Sequence, residues 1–146
     1  RIPNYLKPNQ VFSEVQISME ISSEAPGICN IWPSDIHFAL NDVQLGTWTS
    51  PGDFGDNKGL LTPSWWFPNW NQYGLLKLLA INHYGTFMDG LKISDVTLDD
   101  LNLTYKSDII FKLSVPEDTK HIGGLTIFGN NFGNYNQGIH VRLIYN

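Results

Sequence analysis

Apolar and polar residues alternate one by one along much of this chain. Residues 15–21 read VQISMEI, with an apolar side chain at every odd position and Glu20 among the polar ones. The same period of two recurs over residues 109–115 and 139–145. Successive side chains of a strand point to opposite faces, so each segment has one face to bury and one for solvent. The pattern predicts half-buried strands, with Glu20 on a solvent face.

Further segments extend this β pattern. Residues 36–40 alternate in the same way, and Asn41-Asp42 offers a two-residue hairpin turn because both residue types tolerate positive φ. Residues 73–81 are nearly continuous in leucine, which predicts a strand buried on both faces, with a short helix as the alternative. Other strands are predicted at residues 90–98 and 125–127.

Seven to nine short strands, separated by glycine and proline, predict an all-β fold, an antiparallel β-sandwich. A jelly roll accommodates the long loops better than an immunoglobulin-like domain, whose Cys…Trp…Cys spacing is absent. The 146 residues suffice for one domain. We predict that domain over residues 11–146, and a linker or tail over residues 1–10.

Charge and cysteine content exclude several classes of function. The net charge of −5 and the isoelectric point near 5.1 argue against a protein that binds a phosphate backbone. No apolar run is long enough to span a membrane. Cys29 is the only cysteine, so an internal disulfide and a thiolate metal cluster are both excluded.

The sequence shows no recognisable catalytic motif. There is no G-x-S-x-G, and the four histidines lack the spacing of a helical zinc site. His121, in EDTKHIGG, is expected in a surface turn. Asp53, Asp56 and Asn57 supply oxygen atoms that suit a hard cation, although such residues also form hydrogen-bonded turns. We therefore expect no enzyme, no cofactor and no resident metal, and keep a structural cation as an alternative.

Aromatic residues concentrate in the first of two long loops, residues 49–72 and 129–138. Residues 62–70 read TPSWWFPNW, which forms neither helix nor regular strand. The cluster has three interpretations: a lid over the sandwich, a platform for a sugar-like ligand, or a subunit interface. The candidate walls of a ligand site are Trp65, Trp66, Trp70 and Tyr73. The candidate polar contacts are Asp53, Asn57, Asn69 and Gln72.

Five stretches in order resemble a known family. They read SSEAPGICNIWPSDIHFALNDVQLGTWTSPGDFGDNKG, TPSWW, QYGLLK, DGLKISDVTLDDLNL and EDTKHIGGLTIFGNNFGNY. This series resembles the C-terminal domain that follows an ArsR-type winged-helix segment in transcriptional regulators of Gram-positive bacteria. The resemblance spans roughly residues 14–143. It implies a galactose-binding-like or jelly-roll sensor domain in a cytoplasmic regulator that is a homodimer at full length.

The chain departs from that family's regulators in two respects. The winged helix is absent from this chain, so we expect contact with DNA only through that missing part. The cysteine pairs of metal-sensing ArsR proteins are absent as well. The leading expectation is an effector-sensing or carbohydrate-binding domain. The alternatives are a carbohydrate-binding module of a secreted enzyme and a dimerisation domain without a small ligand.

Overall fold

The computed structural model describes all 146 residues and contains nine strands and one short helix. The strands are β1 Phe12–Ser22, β2 Ser34–Leu40, β3 Val43–Ser50, β4 Leu75–Asn82, β5 Gly85–Met88, β6 Leu91–Ser94, β7 Phe111–Ser114, β8 Thr126–Phe128 and β9 His140–Tyr145. The helix is α1 Leu98–Leu101. It has four residues, and no helix here has the length and apolar character needed to cross a membrane.

The strands form two antiparallel sheets. The larger has the order β6-β5-β4-β1-β8, and β9 also pairs with β1; the smaller has the order β3-β2-β7. β8 pairs with the C-terminal end of β1, and β9 pairs with the rest of it. The odd-numbered residues of β1 and the even-numbered residues of β2 meet in a core of 17 buried apolar residues. The predicted all-β fold and antiparallel β-sandwich are confirmed.

The predicted hairpin between β2 and β3 is confirmed. Asn41 has φ of 47° and Asp42 has φ of 64°, the left-handed conformations that a two-residue turn requires. The Asn41 side chain also accepts a hydrogen bond from the Ile110 N–H at 2.8 Å and donates one to the Asp108 carbonyl at 2.7 Å. The turn is therefore anchored to the segment that leads into β7.

The leucine-rich segment is strand β4, but it is buried on one face only. Leu79 and Ile81 are fully buried, whereas Leu76 is 38% exposed and Leu78 is 40% exposed. The smaller sheet covers the inner face of the larger one, and no layer covers these two leucines on the outer face. The prediction of burial on both faces was wrong because a run of leucines does not reveal whether a second layer exists.

The strand predicted over residues 90–98 is shorter than expected. It ends at Ser94, and the chain turns into α1 at Leu98. The Thr97 N–H donates to Asp100 Oδ2 at 2.8 Å, as in a capping box that starts a helix. This local hydrogen bond competes with strand pairing and ends the strand.

The first ten residues, predicted as a linker or tail, lie against the sandwich. The Ile2 N–H donates to the Ile109 carbonyl at 2.8 Å, and Arg1 forms an ion pair with Asp108. Ile2 and Leu6 belong to the hydrophobic core, with 9% and 7% of their surfaces exposed. The segment is therefore fixed to the domain through side-chain burial as well as hydrogen bonds.

Candidate functional site

The two long loops meet over the outer face of the larger sheet. The Leu61 N–H donates to the Gly133 carbonyl at 2.8 Å, and the Leu60 N–H donates to Asn134 Oδ1 at 2.9 Å. These bonds join a loop between β3 and β4 to one between β8 and β9. The loops therefore form one cover over the β8 end of the sheet.

Glu20 holds this cover from below. Its carboxylate is fully buried and accepts hydrogen bonds from the backbone N–H groups of Gly74 at 2.8 Å, Asn134 at 3.0 Å and Tyr135 at 3.1 Å. A side chain at Gly133 would overlap the carboxylate, so that loop approaches closely only as glycine. The expectation that Glu20 faces solvent was wrong, because two loops distant in sequence enclose it.

The aromatic residues of the cover pack on one another. The Trp66 ring lies 4.7 Å from the Trp70 ring and 5.1 Å from the Phe132 ring, centroid to centroid, in edge-to-face contacts. Trp66 Nε1 donates to the Asn71 carbonyl at 2.9 Å. None of these rings belongs to the hydrophobic core. They form a separate aromatic cluster on the surface.

An open cleft of about 650 Å³ lies beside this cluster. It is bordered by the segment after β1, by the aromatic loop (the tryptophan-rich loop between β3 and β4), and by β8 with the start of the loop that follows it. Its lining residues are Glu24, Ala25, Gly27, Asp53, Trp66, Trp70, Asn71, Leu125, Thr126, Ile127, Phe128, Gly129 and Phe132. A cleft of this size, with aromatic walls and a few polar groups, is typical of small-molecule sites.

Asp53 supplies a buried carboxylate to the cleft. The backbones of Asp53 and Cys29 exchange hydrogen bonds of 2.8 and 3.0 Å, which place this side chain beside the segment after β1. Asp53 is 1% exposed; its Oδ2 accepts from the Ala25 N–H at 2.9 Å, and its Oδ1 has no hydrogen-bond partner. Burial raises the pKa of Asp53, and the charge of Glu24 raises it further, although the Ala25 hydrogen bond opposes both.

Strand β8 adds free backbone groups to the cleft because it is an edge strand. The Asp89 N–H donates to the Leu78 carbonyl, so even-numbered residues of β4 direct their backbone groups away from β1. Odd-numbered residues of β4 therefore bond to odd-numbered residues of β1, and even-numbered residues of β1 direct their backbone groups towards β8. In β8 the partners of these even-numbered residues are Thr126 and Phe128, whose backbone groups bond to β1. The N–H and C=O of Ile127 therefore point to the free edge, where a ligand can meet them.

Three of the predicted site residues line the cleft: Trp66, Trp70 and Asp53. Trp65 does not. It is 69% exposed and packs edge-on against Trp66 and Phe132 from outside, with centroid distances of 5.7 and 6.0 Å. It is therefore the natural control for its two neighbours.

The other predicted polar contacts lie outside the lining. Gln72 is buried, and its Nε2 donates to the Phe67 and Trp70 carbonyls at 3.0 and 2.9 Å, which fixes the aromatic loop. Asn69 is exposed. Asn57 is also exposed, and its amide donates to Asp56 at 3.3 Å.

Tyr73 stacks on Phe54 with ring centroids 5.4 Å apart, away from the cleft. Its hydroxyl donates to Asp56 Oδ1 at 2.6 Å, and this bond raises the pKa of Tyr73 to about 12. The cation alternative relied on Asp53 and Asp56 together. Their carboxylates contact different partners, and the structure contains no cluster of three or more His, Cys, Asp or Glu side chains suited to a metal.

Several lining residues were missed at the sequence level. Glu24, Thr126 and Phe132 lie in three parts of the chain that come together only through the tertiary structure, whereas Asn71 lies in the aromatic loop beside the predicted polar contacts. Asn71 Nδ2 donates to Thr126 Oγ1 at 3.0 Å, which leaves the Asn71 side-chain oxygen free as an acceptor. The one usable signal was Phe132, because it lies in the second long loop.

A second polar cluster lies on the outer face of the smaller sheet. Asp35 accepts from the Thr49 hydroxyl at 2.7 Å, from the Thr119 hydroxyl at 2.9 Å, and from the backbone N–H of His121 at 2.9 Å. His121 Nδ1 lies 3.2 Å from Asp35 Oδ1, the oxygen that also accepts from Thr49. The turn that carries His121 is thus held against β2.

A smaller groove of about 380 Å³ lies between the N-terminal segment and β9. Seven of its eight lining residues are hydrophobic, and none is charged: they are Ile2, Pro3, Tyr5, Leu6, Phe12, Val141, Leu143 and Tyr145. It offers little with which to orient a polar ligand.

Comparisons with protein-family models, with curated protein sequences and with solved structures find no match for this chain.

Proposed function

We propose that this domain binds a small sugar-like ligand in the cleft beside Trp66 and Trp70. The observation that carries this proposal is an open cleft of about 650 Å³ whose lining combines aromatic rings with a buried carboxylate that has one oxygen without a hydrogen-bond partner. A pyranose has apolar C–H faces and a polar rim. Flat rings match the faces, and convergent acceptors and donors match the rim.

The polar groups of the cleft are suited to hydroxyl groups. Asp53 Oδ1 and the side-chain oxygen of Asn71 are free acceptors, and the edge of β8 offers the Ile127 N–H and C=O. Leaving a buried acceptor without a partner costs about 1–3 kcal/mol. A ligand that donates to Asp53 recovers part of that cost on binding.

Replacing Trp70 by Ala tests the proposal. Trp70 lines the cleft and lies outside the hydrophobic core, so we expect the variant to fold and to lose about 1–3 kcal/mol of binding free energy, or roughly 5- to 150-fold in affinity. Isothermal titration calorimetry with a panel of mono- and disaccharides measures the affinity without relying on tryptophan fluorescence.

Trp65→Ala is the matched control. It removes a tryptophan side chain that also packs on the aromatic cluster but does not line the cleft. We expect it to retain affinity within about threefold, as for a residue that makes no ligand contact. Equal losses in both variants, or no heat of binding with any saccharide, would contradict the proposal.

We further propose that the domain is the effector module of an ArsR-type regulator, with the galactose-binding-like jelly-roll connectivity that the sequence resemblance implies. The N-terminal segment supports this role. Its buried Ile2 and Leu6 and the Ile2–Ile109 hydrogen bond fix the chain to the sandwich, so movement of the domain is passed to whatever precedes it. A flexible linker would absorb that movement.

Operator binding tests the regulatory role. A ligand changes repression only if it binds the DNA-competent and incompetent arrangements with different affinities, and a coupling of about 1–3 kcal/mol changes operator affinity about 5- to 150-fold. The measurement is operator affinity of the protein carrying its winged helix, with and without ligand. Unchanged affinity at saturating ligand would assign the cleft to another context, such as a carbohydrate-binding module of an enzyme.

A dimerisation role is the second candidate, and the outer face of β4 favours it. Leu76 and Leu78 are 38% and 40% exposed side by side on the outer face of β4, which no second sheet covers. Two neighbouring exposed leucines offer apolar surface that a second copy of the chain would bury on association. Analytical ultracentrifugation of the wild type and of Leu78→Lys distinguishes the cases: a dimer that the variant abolishes supports this role, and a monomer at high concentration contradicts it.

A further inference from the structure

The cleft is acidic and contains no basic group. Glu24 and Asp53 are among its lining residues, and none of the 13 is Lys, Arg or His. The Glu24 side chain is exposed and forms no hydrogen bond and no ion pair. Two acidic residues therefore line the same open volume without a protein counterion.

Asp53 differs from Glu24 because its side chain is buried and incompletely hydrogen-bonded. Only 1% of its surface is exposed, and its Oδ1 has no hydrogen-bond partner. A neutral hydroxyl group supplies one hydrogen bond to this oxygen but leaves its charge uncompensated. An ammonium group supplies a hydrogen bond and the missing charge together, and such charge-assisted bonds are about twice as strong as neutral ones.

The aromatic wall favours the same chemistry. Trp66, Trp70 and Phe132 line the same cleft, and the faces of aromatic rings attract cations. The rings also displace water from one side of the cleft, which strengthens Coulomb attraction there relative to bulk solvent. Aromatic rings together with unpaired carboxylates are a common chemistry for the recognition of organic cations.

We propose that the cleft selects a ligand that carries a protonated amine, such as an amino sugar, over its neutral counterpart. This proposal rests on the proposed function, since it names the ligand class of the same site. The raised pKa of Asp53 agrees with it, because that pKa reports an anion destabilised by burial and by Glu24. A bound cation removes this destabilisation, and its binding therefore strengthens as the pH rises and Asp53 ionises.

Calorimetric titrations of the wild-type chain with matched ligands test the selectivity. Glucosamine, glucose and N-acetylglucosamine share one ring, and acetylation removes the charge of the amine. We expect glucosamine to bind at least about tenfold more tightly than either neutral sugar at low salt, as for a hydrogen bond to a charged group. Putrescine, an amine without a sugar ring, identifies which part of the ligand is recognised.

Three variants locate the source of the selectivity. Asp53→Asn keeps an acceptor for the Ala25 N–H and removes the charge, and we expect it to reduce the glucosamine-to-glucose affinity ratio to about two- to fivefold, the share that Glu24 contributes. Glu24→Gln, at an exposed position, lowers the ratio about two- to fivefold. Glu117→Gln is the matched control: it makes the same chemical change at an exposed position outside the cleft and leaves the ratio unchanged.

The outcomes separate this proposal from the proposed function. Equal affinities for glucosamine and glucose overturn the charge selectivity and leave the sugar site standing. No binding of any sugar or amine overturns both. Putrescine binding as tightly as glucosamine supports charge selectivity and makes the amine, without the ring, the recognised group. A ratio that Glu24→Gln and Asp53→Asn leave unchanged overturns the assignment of these two carboxylates.

Discussion

Asp35 and Asp53 are both buried carboxylates, and their surroundings act on them in opposite directions. Asp35 is 7% exposed and accepts hydrogen bonds from Thr49, Thr119 and His121. The Thr49 hydroxyl is the largest influence, and together these donors outweigh burial and hold the pKa of Asp35 well below its usual 3.8. Asp53 is 1% exposed with a single donor, so burial prevails and its pKa is raised.

The comparison shows that the number of hydrogen-bond donors, more than the extent of burial, decides whether a buried carboxylate is stable as an anion. The polar cluster around Asp35 is complete within the chain, and it fixes the 119–121 segment on β2. The cleft around Asp53 is incomplete: one carboxylate oxygen has no partner in the protein. A satisfied group stabilises the fold, whereas a buried unsatisfied one in the wall of a cleft favours a ligand that supplies the missing hydrogen bond.

The largest expected effect is that of Asp35→Ala on stability. The variant leaves two hydroxyl groups and one backbone N–H without their acceptor, and we expect it to lower the free energy of unfolding by about 2–4 kcal/mol. Urea denaturation at neutral pH measures this. Asp118→Ala, at an exposed position of the same segment, is the control and should change stability by about 0.5 kcal/mol or less. Similar losses in the two variants would break the comparison.

The pH dependence of stability should have opposite signs at the two sites. The folded-state pKa of Asp35 is lowered, so its contribution is present above its usual value of 3.8 and is lost as the pH falls below it. The folded-state pKa of Asp53 is raised, so its contribution is present below 3.8 and is lost as the pH rises through the folded-state pKa.

Denaturation between pH 3 and 7 checks these signs with asparagine variants. The stability advantage of the wild type over Asp35→Asn should shrink as the solution is acidified. The stability of Asp53→Asn relative to the wild type should be highest at pH 7 and fall on acidification. Parallel curves for both variants would show that the two carboxylates do not differ.

A smaller effect is expected for Asp53→Asn at neutral pH. The amide oxygen can still accept from the Ala25 N–H, and the uncompensated charge is removed, so we expect a free energy of unfolding equal to or above that of the wild type, within about 1 kcal/mol. A clear loss of stability would mean that the Asp53 charge has a structural partner. Thermal denaturation in the absence of ligand gives the comparison.

The smallest effect is expected for Glu24→Gln. Glu24 acts on Asp53 through its charge, and its own side chain is exposed and screened by solvent, so its removal should change stability by only a few tenths of a kcal/mol. Any gain should disappear in 1 M salt. A gain in stability that persists in high salt would indicate that Glu24 acts through direct packing and not through charge repulsion.

The alternation of the sequence was sufficient to predict the sandwich and the hairpin at Asn41-Asp42. It misplaced residues wherever a second layer decided their burial. Glu20 has the polar position of an alternating strand, yet loops from far along the chain bury it. Leu78 has the apolar character of a core residue, yet it is 40% exposed because no second sheet covers it. Period-two patterns report the pleat of a strand, and they carry no information about what lies above its second face.

The candidate site was predicted in part. Trp66, Trp70 and Asp53 lie in one long loop that is rich in aromatic residues, and all three line the cleft. Glu24 and Phe132 lie in other segments, and only the topology brings them to the same opening. Gln72 appeared suited to a ligand but donates to carbonyls of its own loop. Sequence identifies polar groups; whether the chain itself already uses them depends on tertiary structure.

The hydrogen bonds of Glu20 have a consequence for the order of folding. Its donors Gly74 and Asn134 lie 54 and 114 positions further along the chain. Contacts of such separation require closure of long loops, which is slow to occur compared with local pairing. We therefore expect the cover to consolidate after the β2–β3 hairpin, and its amides at Gly74, Asn134 and Tyr135 to become protected against hydrogen exchange together.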